Sequence, residues 1–277
     1  MLSIFYGIAS AATWGAADFI GGLASKRTSP YRVLFLGQLA GLVLFILLAV
    51  FTLEALPSAV DVLWAGLSSL LGLGGLIFLY RALAGGQMTI AAPVSALFAA
   101  LIPVVFAFLT EGLPSLITLG GFALAFLAVW LVSQTDGRNL RFSSADLRLP
   151  LTSGLFFGLY FISLHQATIS TFFWPIAIAR LTGILTLGLV ALLTRQPAMP
   201  PRNLWGLVIL NGILDVSGNG LYALAARTGR LDVAAVLGAL YPASTVLLAW
   251  VLLKERISVI QTFGILCAFA AIILLTL

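Results

Sequence analysis

Asn211, Asp215, Asn219 and Tyr222 recur at spacings of four, four and three. On a helix that rhythm puts one carboxylate, two carboxamides and a phenol on a single face. Such a row can hold a polar solute, pass a proton through the carboxylate, or pin its helix to neighbours by hydrogen bonds. A second row runs through Gly7, Ala11, Trp14, Asp18 and Gly22. Asp18 there needs a partner, either water or a cation such as Arg81 or a loop lysine, and Trp14 one turn away is a stacking wall or core. Arg180 keeps its charge in practice and so requires a carboxylate, carbonyls or an anionic ligand. Asp215 is the internal candidate, and the sequence leaves open whether Arg180 forms a structural ion pair or grips a substrate carboxylate. His165 is the sole histidine, which excludes a multi-histidine metal site within one chain; it is a proton-responsive gate or a satisfied interior histidine. Tyr160, Trp174, Tyr222, Tyr241 and Trp250 offer aromatic walls for an amphipathic pocket, with bilayer-interface anchoring the rival role for Trp174. The substrate-binding candidates are therefore Trp14, Asp18, Tyr160, His165, Arg180, Asn211, Asp215, Asn219, Tyr222 and Tyr241, with Asp215 the candidate for proton coupling. No catalytic residue, metal ligand or cofactor is assigned. Cys267 is the only cysteine, so no internal disulfide forms.

The elements that must position these groups are apolar. Hydrophobic residues make up 61% of the 277 positions and charged residues 8%, too little polar surface to cover a soluble core. Cut at its charges and turn residues, the chain gives ten stretches of roughly 19 to 24 residues, near the ~20 that cross a bilayer as helix. They lie approximately at 3–24, 31–52, 61–84, 89–110, 115–133, 150–170, 173–194, 203–225, 231–252 and 258–277. The runs lack the alternation of barrel strands. Asp215 then stands roughly 18 Å from the start of its stretch, and Asp18 roughly 12 Å from the charges Lys26 and Arg27. A carboxylate at such depth must face protein or water. Pro93, Pro103, Pro175 and Pro242 each remove a backbone donor inside a stretch, so kinks or unwinding are expected there. Gly37 with Gly41, Gly154 with Gly158, and Gly72, Gly74 and Gly75 mark close helix packing. Short connections predict that sequential helices are antiparallel neighbours.

The chain also repeats itself. Leu79-Tyr80-Arg81-Ala82-Leu83-Ala84 returns as Leu221-Tyr222-Ala223-Leu224-Ala225-Ala226, and 111–120 returns as 255–264, an offset of 142 growing to 144. Five crossings per copy invert the second copy relative to the first, so the fold class is an all-α integral membrane protein of ten transmembrane helices in two inverted five-helix repeats. The first repeat spans 1–133, a cytoplasmic linker 134–149, and the second repeat 150–277. Eleven basic residues fall on one side of this threading and only Arg227 and Arg230 on the other, with Arg180 inside. The positive-inside rule makes the eleven-residue side cytoplasmic and both termini external, in a multi-pass protein of the cell's inner membrane. With the basic residues in loops, the net charge of +5 sets orientation and is not a nucleic-acid signal.

Trp14-Gly15, the Arg180 position, Tyr241-Pro242, and Glu255-Arg256-Ile257 followed by Gln261 and Gly264, echoed by Glu111-Gly112-Leu113 and Gly120, resemble the EamA family of the drug/metabolite transporter superfamily. The resemblance covers essentially the whole chain. It implies a ten-helix carrier with a central cavity, often an exporter of amino acids or other small metabolites, in which Glu111 and Glu255 cap helix ends at the membrane surface. Two positions depart from the pattern: Glu111 lacks a following arginine, and Asp18 follows the Trp-Gly pair where an uncharged polar residue is expected. The resulting expectation is a secondary transporter of a small polar or zwitterionic solute, its partners being that solute and the bilayer, as a monomer or weak homodimer. The alternatives are an intramembrane aspartyl-type enzyme using Asp18 and Asp215, and a non-transporting receptor or scaffold.

Overall fold

The computed structural model describes residues 1–84, 88–134, 147–254 and 256–277, the side chains of Tyr80, Leu83, Ala84, 88–90 and Ala92 apart. Glu255 and most of the expected linker lie outside the described residues. Within them the chain is helical, without strands: α1 (Leu2–Ser25), α2 (Pro30–Phe51), α3 (Ala59–Ala84), α4 (Met88–Thr110), α5 (Leu116–Val132), α6 (Arg148–Ala167), α7 (Phe173–Thr194), α8 (Trp205–Thr228), α9 (Leu231–Gly238), α10 (Tyr241–Leu253) and α11 (Val259–Thr276). Seven segments are long and apolar enough to cross a bilayer by length and composition: those of α2, α3, α4, α7, α8, the α9–α10 pair and α11. The apolar α5 has 17 residues, and α1 and α6 carry the serines, threonines and ionisable residues that dilute their hydropathy.

The ninth expected stretch is two helices. Pro242 lacks the N–H that would continue the ladder, and the chain tightens around it, Leu240 N–H donating to Leu237 O at 3.1 Å and Ala243 N–H to Leu240 O at 3.0 Å. The other prolines do not interrupt their helices: Pro93 and Pro103 lie inside a continuous α4, and Pro175 sits in the first turn of α7, where its missing donor has no intrahelical acceptor.

Sequential neighbours such as α1 and α2, or α3 and α4, touch little, contrary to expectation. The large interfaces join the two copies: α1 with α8, α3 with α6, α5 with α11, α2 with α7 and α8, α4 with α6, and α1 with α9 and α10. A short loop fixes only where two helices meet at one end. In lipid the contact faces are chosen by close approach of small residues. Gly37 and Gly212 show this most directly: a Cβ on Gly212 would stand 2.5 Å from Gly37 Cα, so α2 and α8 meet backbone to backbone. The expected Gly154 and Gly158 likewise seat α4 side chains at Phe98 and Ile102, and Gly74 and Gly75 seat Phe156 and Phe157 of α6.

Contact order gives direction. Ser3, Ser10 and Ala17 of α1 meet Ala225, Gly218 and Asn211 of α8, so this pair is antiparallel. α2 meets α7 in falling order, Gln38 with Arg180 and Phe45 with Phe173, whereas α2 and α8 rise together, Gly37 at Gly212 and Gly41 at Val216. The C-terminal ends of α2, α4, α6 and α8 gather at one end, named the outer end after the orientation expected from the charges, and those of α1, α3, α5, α7 and α10 at the opposite, inner end. Toward the outer end packing is dense. Every residue of α9 is buried, and so are most of those from Val216 to Ala226. Toward the inner end it is loose, since α10 has no buried residue and α7 none beyond Leu187.

Candidate functional site

An arginine, a glutamine and an aspartate from three helices meet at mid-depth. Arg180 is buried on α7, and its Nη1 donates to Asp215 Oδ2 on α8 at 2.7 Å and to Gln38 Oε1 on α2 at 3.0 Å. Of the two readings left open by sequence, the ion pair is formed. It is lopsided: the arginine side chain is 7% exposed and the aspartate 44%. The cation therefore sits behind the carboxylate, which faces open space. Arg180 Nη2 is buried with no partner among the described residues, and an unmet charged donor of this kind is costly. Gln38, which the sequence reading missed, is the second acceptor. Its only signal is a carboxamide beside Gly37 in an otherwise apolar run.

Above this trio, toward the outer end, Asn219 Oδ1 accepts from Trp14 Nε1 at 2.8 Å. Trp14, Phe161 and Tyr222 pack as a triangle with ring centroids 4.8 to 5.9 Å apart. Tyr222 is fully buried, its hydroxyl donating to Phe161 O at 3.2 Å. It thus belongs to the core that seals the outer half and does not line open space, a correction to its place in the polar row. Asn211 is spent on packing too, its Nδ2 donating to Ala17 O at 2.7 Å. The members of the row on α8, Asn211, Asp215, Asn219 and Tyr222, thus bond to α1, α7, α1 and α6 in turn.

Asp18 and Tyr241 stand on the loose side. Asp18 is exposed and makes no hydrogen bond or ion pair within the described residues, so the expected Arg81 or lysine partner is not taken up there. Its electrostatic neighbours are Asp215 and Tyr241. Tyr241 is half-buried where the ninth stretch breaks; its carbonyl and Thr245 Oγ1 pack on Gly15, with Thr245 donating to Gly15 O at 3.2 Å. Tyr160, half-buried on α6, packs on Gly72 and reaches Asn219, close to Arg180 and Asp215. His165 is apart from this group: in the last turn of α6 it lies near Arg227, its Nδ1 buried without a partner among the described residues. Trp250 is 52% exposed on α10.

Two carboxylate clamps close the outer end. Glu54, just past α2, accepts from the backbone N–H groups of Phe172, Phe173 and Trp174 at 2.5, 2.8 and 3.0 Å, while Trp174 Nε1 donates to Glu54 O at 3.2 Å. The orphan donors at the start of α7 are thereby met by a negative charge, the sign a helix N-terminus favours. In the second clamp Arg230 holds Asp232 at 2.8 Å and Gly112 O at 2.6 Å, and its bond to Asp232 pushes the Arg230 guanidinium up from its ordinary value. Glu111 accepts from Leu231 N–H at 3.3 Å, so it caps α9 in the other copy, a cross-copy role its position in the chain did not reveal.

No group of three or more histidines, cysteines or acidic residues is placed to hold a metal ion among the described residues. A groove of about 930 Å³ lies on the side of α7 between Phe35 and Arg195, apart from every polar residue described above.

The model of the EamA-like transporter family matches residues 1–134 and again 147–277. Comparison with curated proteins finds no relative. A solved crystal structure, described only as that of a protein, superposes with a TM-score of 0.81 over 99% of this chain and 98% of its own at 15% identity, a likeness of fold alone.

Proposed function

Since the chain belongs to the EamA-like transporter family, we propose that it is a secondary carrier that moves a small polar or zwitterionic metabolite, such as an amino acid, out of the cell by alternating access. It works as a multi-pass monomer of the inner membrane, with both termini outside, its ten crossings forming two inverted repeats. The directions of contact support the inversion. α1 opposes α8, α8 parallels α2, α2 opposes α7, α7 parallels α3 through Thr182 at Gly66 and Gly183 at Ser69, and α3 opposes α6 through Gly72 at Tyr160 and Gly75 at Phe157. Three reversals leave α1 and α6, the first helices of the copies, pointing oppositely.

The observation that carries this reading is the gathering of Asp18, Gln38, Tyr160, Arg180 and Asp215 from five helices of both copies at bilayer depth, beneath a sealed outer half and above a loose inner half. Intramembrane charges are retained where they face a water-filled path, and carriers place substrate where their repeats meet. The state is open toward the cytoplasm. Within it Asp215 is the coupling residue: to take up a proton it must give up its bond to Arg180, and that arginine is then free to hold a substrate carboxylate. An aspartyl-type enzyme needs Asp18 and Asp215 to share a proton, an arrangement opposed by Arg180 at 2.7 Å from Asp215.

A counterflow screen in proteoliposomes with pooled amino acids, sugars, nucleosides and organic cations at two pH values tests the reading. Wild type exchanges at least one pool, and Asp215→Asn abolishes the pH dependence while the protein stays folded. Exchange of no pool refutes the carrier; unchanged pH dependence in the variant refutes the coupling role.

A further inference from the structure

The contacts of α1 fix where Asp18 points. At about 100° per residue, Trp14, Ala17 and Gly21 fall within about 60° of one another. All three meet α8: Trp14 donates to Asn219, Ala17 O accepts from Asn211, and Gly21 faces Asn211 Nδ2. Gly15, about 100° around the helix from Trp14, meets α10 at Tyr241 and Thr245. Asp18 lies about 40° from Trp14, between the α8 contacts and the α10 contacts. A side chain in that wedge points into the protein and away from lipid, yet Asp18 is exposed. The space it reaches is the gap left by α10, which buries no residue. One turn further toward the inner end, a Cβ on Gly22 would meet nothing within 4 Å, so the gap continues toward the loop of Lys26 and Arg27.

The charges around that gap do not cancel. Asp215 and Arg180 neutralise each other at 2.7 Å, while Asp18 has no cation among the described residues. Among the described residues Asp18 is thus left as an unpaired acidic side chain at this gap, with Tyr241 as its neighbour. A lone carboxylate at this depth is costly unless water or a cation attends it.

We infer that Asp18 is the seat for a protonated amine on the transported solute, so that the carrier takes solutes bearing an ammonium group and Asp18 selects for it. This rests on the carrier reading and deepens it. The carboxylate gives the ammonium a charge-assisted hydrogen bond, and the neighbouring aromatic ring suits a cation. With Arg180 behind Asp215 the same chamber offers an acceptor for the amine and a donor for a carboxylate, the complement of a zwitterion.

The test uses three probes built on one amino acid in proteoliposome counterflow: the free zwitterion, its amide, which keeps only the ammonium, and its N-acetyl derivative, which keeps only the carboxylate. Wild type exchanges the first two and not the third. Asp18→Asn weakens half-maximal concentration for both amines by about tenfold or more, Asp18→Glu restores most of it, and the unliganded melting temperature of all three proteins is the same within a few degrees. Exchange of the N-acetyl probe by wild type, or equal affinity for the amines in Asp18→Asn, overturns the amine seat while leaving the carrier reading intact. Failure of wild type to exchange any solute, including the wider pools above, overturns the carrier reading itself.

Discussion

Replacing Glu54 by alanine should open the outer end. Its carboxylate meets three consecutive backbone donors at the start of α7, at 2.5, 2.8 and 3.0 Å, and α7 carries Arg180. A hydrogen bond to a charged group is worth about 1.5–3 kcal/mol when its loss leaves a partner dry. The amides here are only partly buried, so water replaces the carboxylate on its removal and the net loss is nearer about 0.5–1 kcal/mol each. Adding the favourable charge at the helix N-terminus, about 0.3–1 kcal/mol, the clamp favours the closed outer end by about 2–4 kcal/mol. At 1.4 kcal/mol per factor of ten, that is a shift of about 30- to 700-fold in the population of outward-open molecules. The measurement is the labelling rate of a cysteine at Ala226, which is 4% exposed beneath this end, by a membrane-impermeant maleimide applied from outside. Cys267, the only native thiol, is first changed to serine. When opening is fast, the rate tracks the open population. Glu54→Ala labels faster by the stated factor, and Glu54→Gln, which keeps an acceptor oxygen, falls between it and wild type. A folded Glu54→Ala protein labelled at the wild-type rate would refute the reasoning.

Trp14→Phe keeps the ring that packs on Phe161 and Tyr222 but strands Asn219 Oδ1, buried and bonded at 2.8 Å in the parent; a loss of about 1–3 kcal/mol and a fall of several degrees in the melting temperature in detergent are expected, and an unchanged midpoint would show that the bond carries no weight. Gly212→Ala drives a methyl into the Gly37 backbone and should halve or abolish the yield of monodisperse protein, whereas alanine at Gly206, where a Cβ meets nothing within 4 Å, should leave it unaltered.

Much of this organisation is legible in the chain because lipid imposes so few choices. Apolar length marks the helices, and of the charges inside them Arg180 and Asp215 pair with each other while Asp18 stands exposed beside the loosely packed α10. The Arg180–Asp215 bond follows from two opposite charges at similar depth. Gln38 escaped notice since an uncharged carboxamide in an apolar run has no penalty large enough to advertise a partner. Tyr222 was misplaced for a different reason: periodicity defines a face of α8, but α8 is surrounded, and one face crosses from the α7 side at Asp215 to the sealed α1 and α6 side at Asn219 and Tyr222. The break before Pro242 and the unbroken α4 show that a proline marks a possible interruption, and tertiary packing decides whether it is used. Cross-copy caps such as Glu111 on α9 depend on which loops become neighbours, which no local pattern records.

The same cross-copy bonding determines what can move. α1 is tied to α8 at four levels, through Ser3, Ser10, Trp14 and Asn211, and α2 is tied to α7 by Gln38, Tyr31 and Glu54. Separating the first five helices from the last five would break all of these at once, at a cost of about 1 kcal/mol or more for each. Movement confined to one end breaks fewer of them: parting α2 from α7 at the outer end costs the Glu54 bonds but leaves those of Gln38 and Tyr31 in place. α1–α8 and α2–α7 are in turn joined by the close packing of Gly37 on Gly212 and by the Arg180–Asp215 ion pair. Gly37 and Gly212 are buried, whereas the Asp215 side chain is 44% exposed, so in the proposed carrier the ion pair is the contact between them that a solute or a proton can reach.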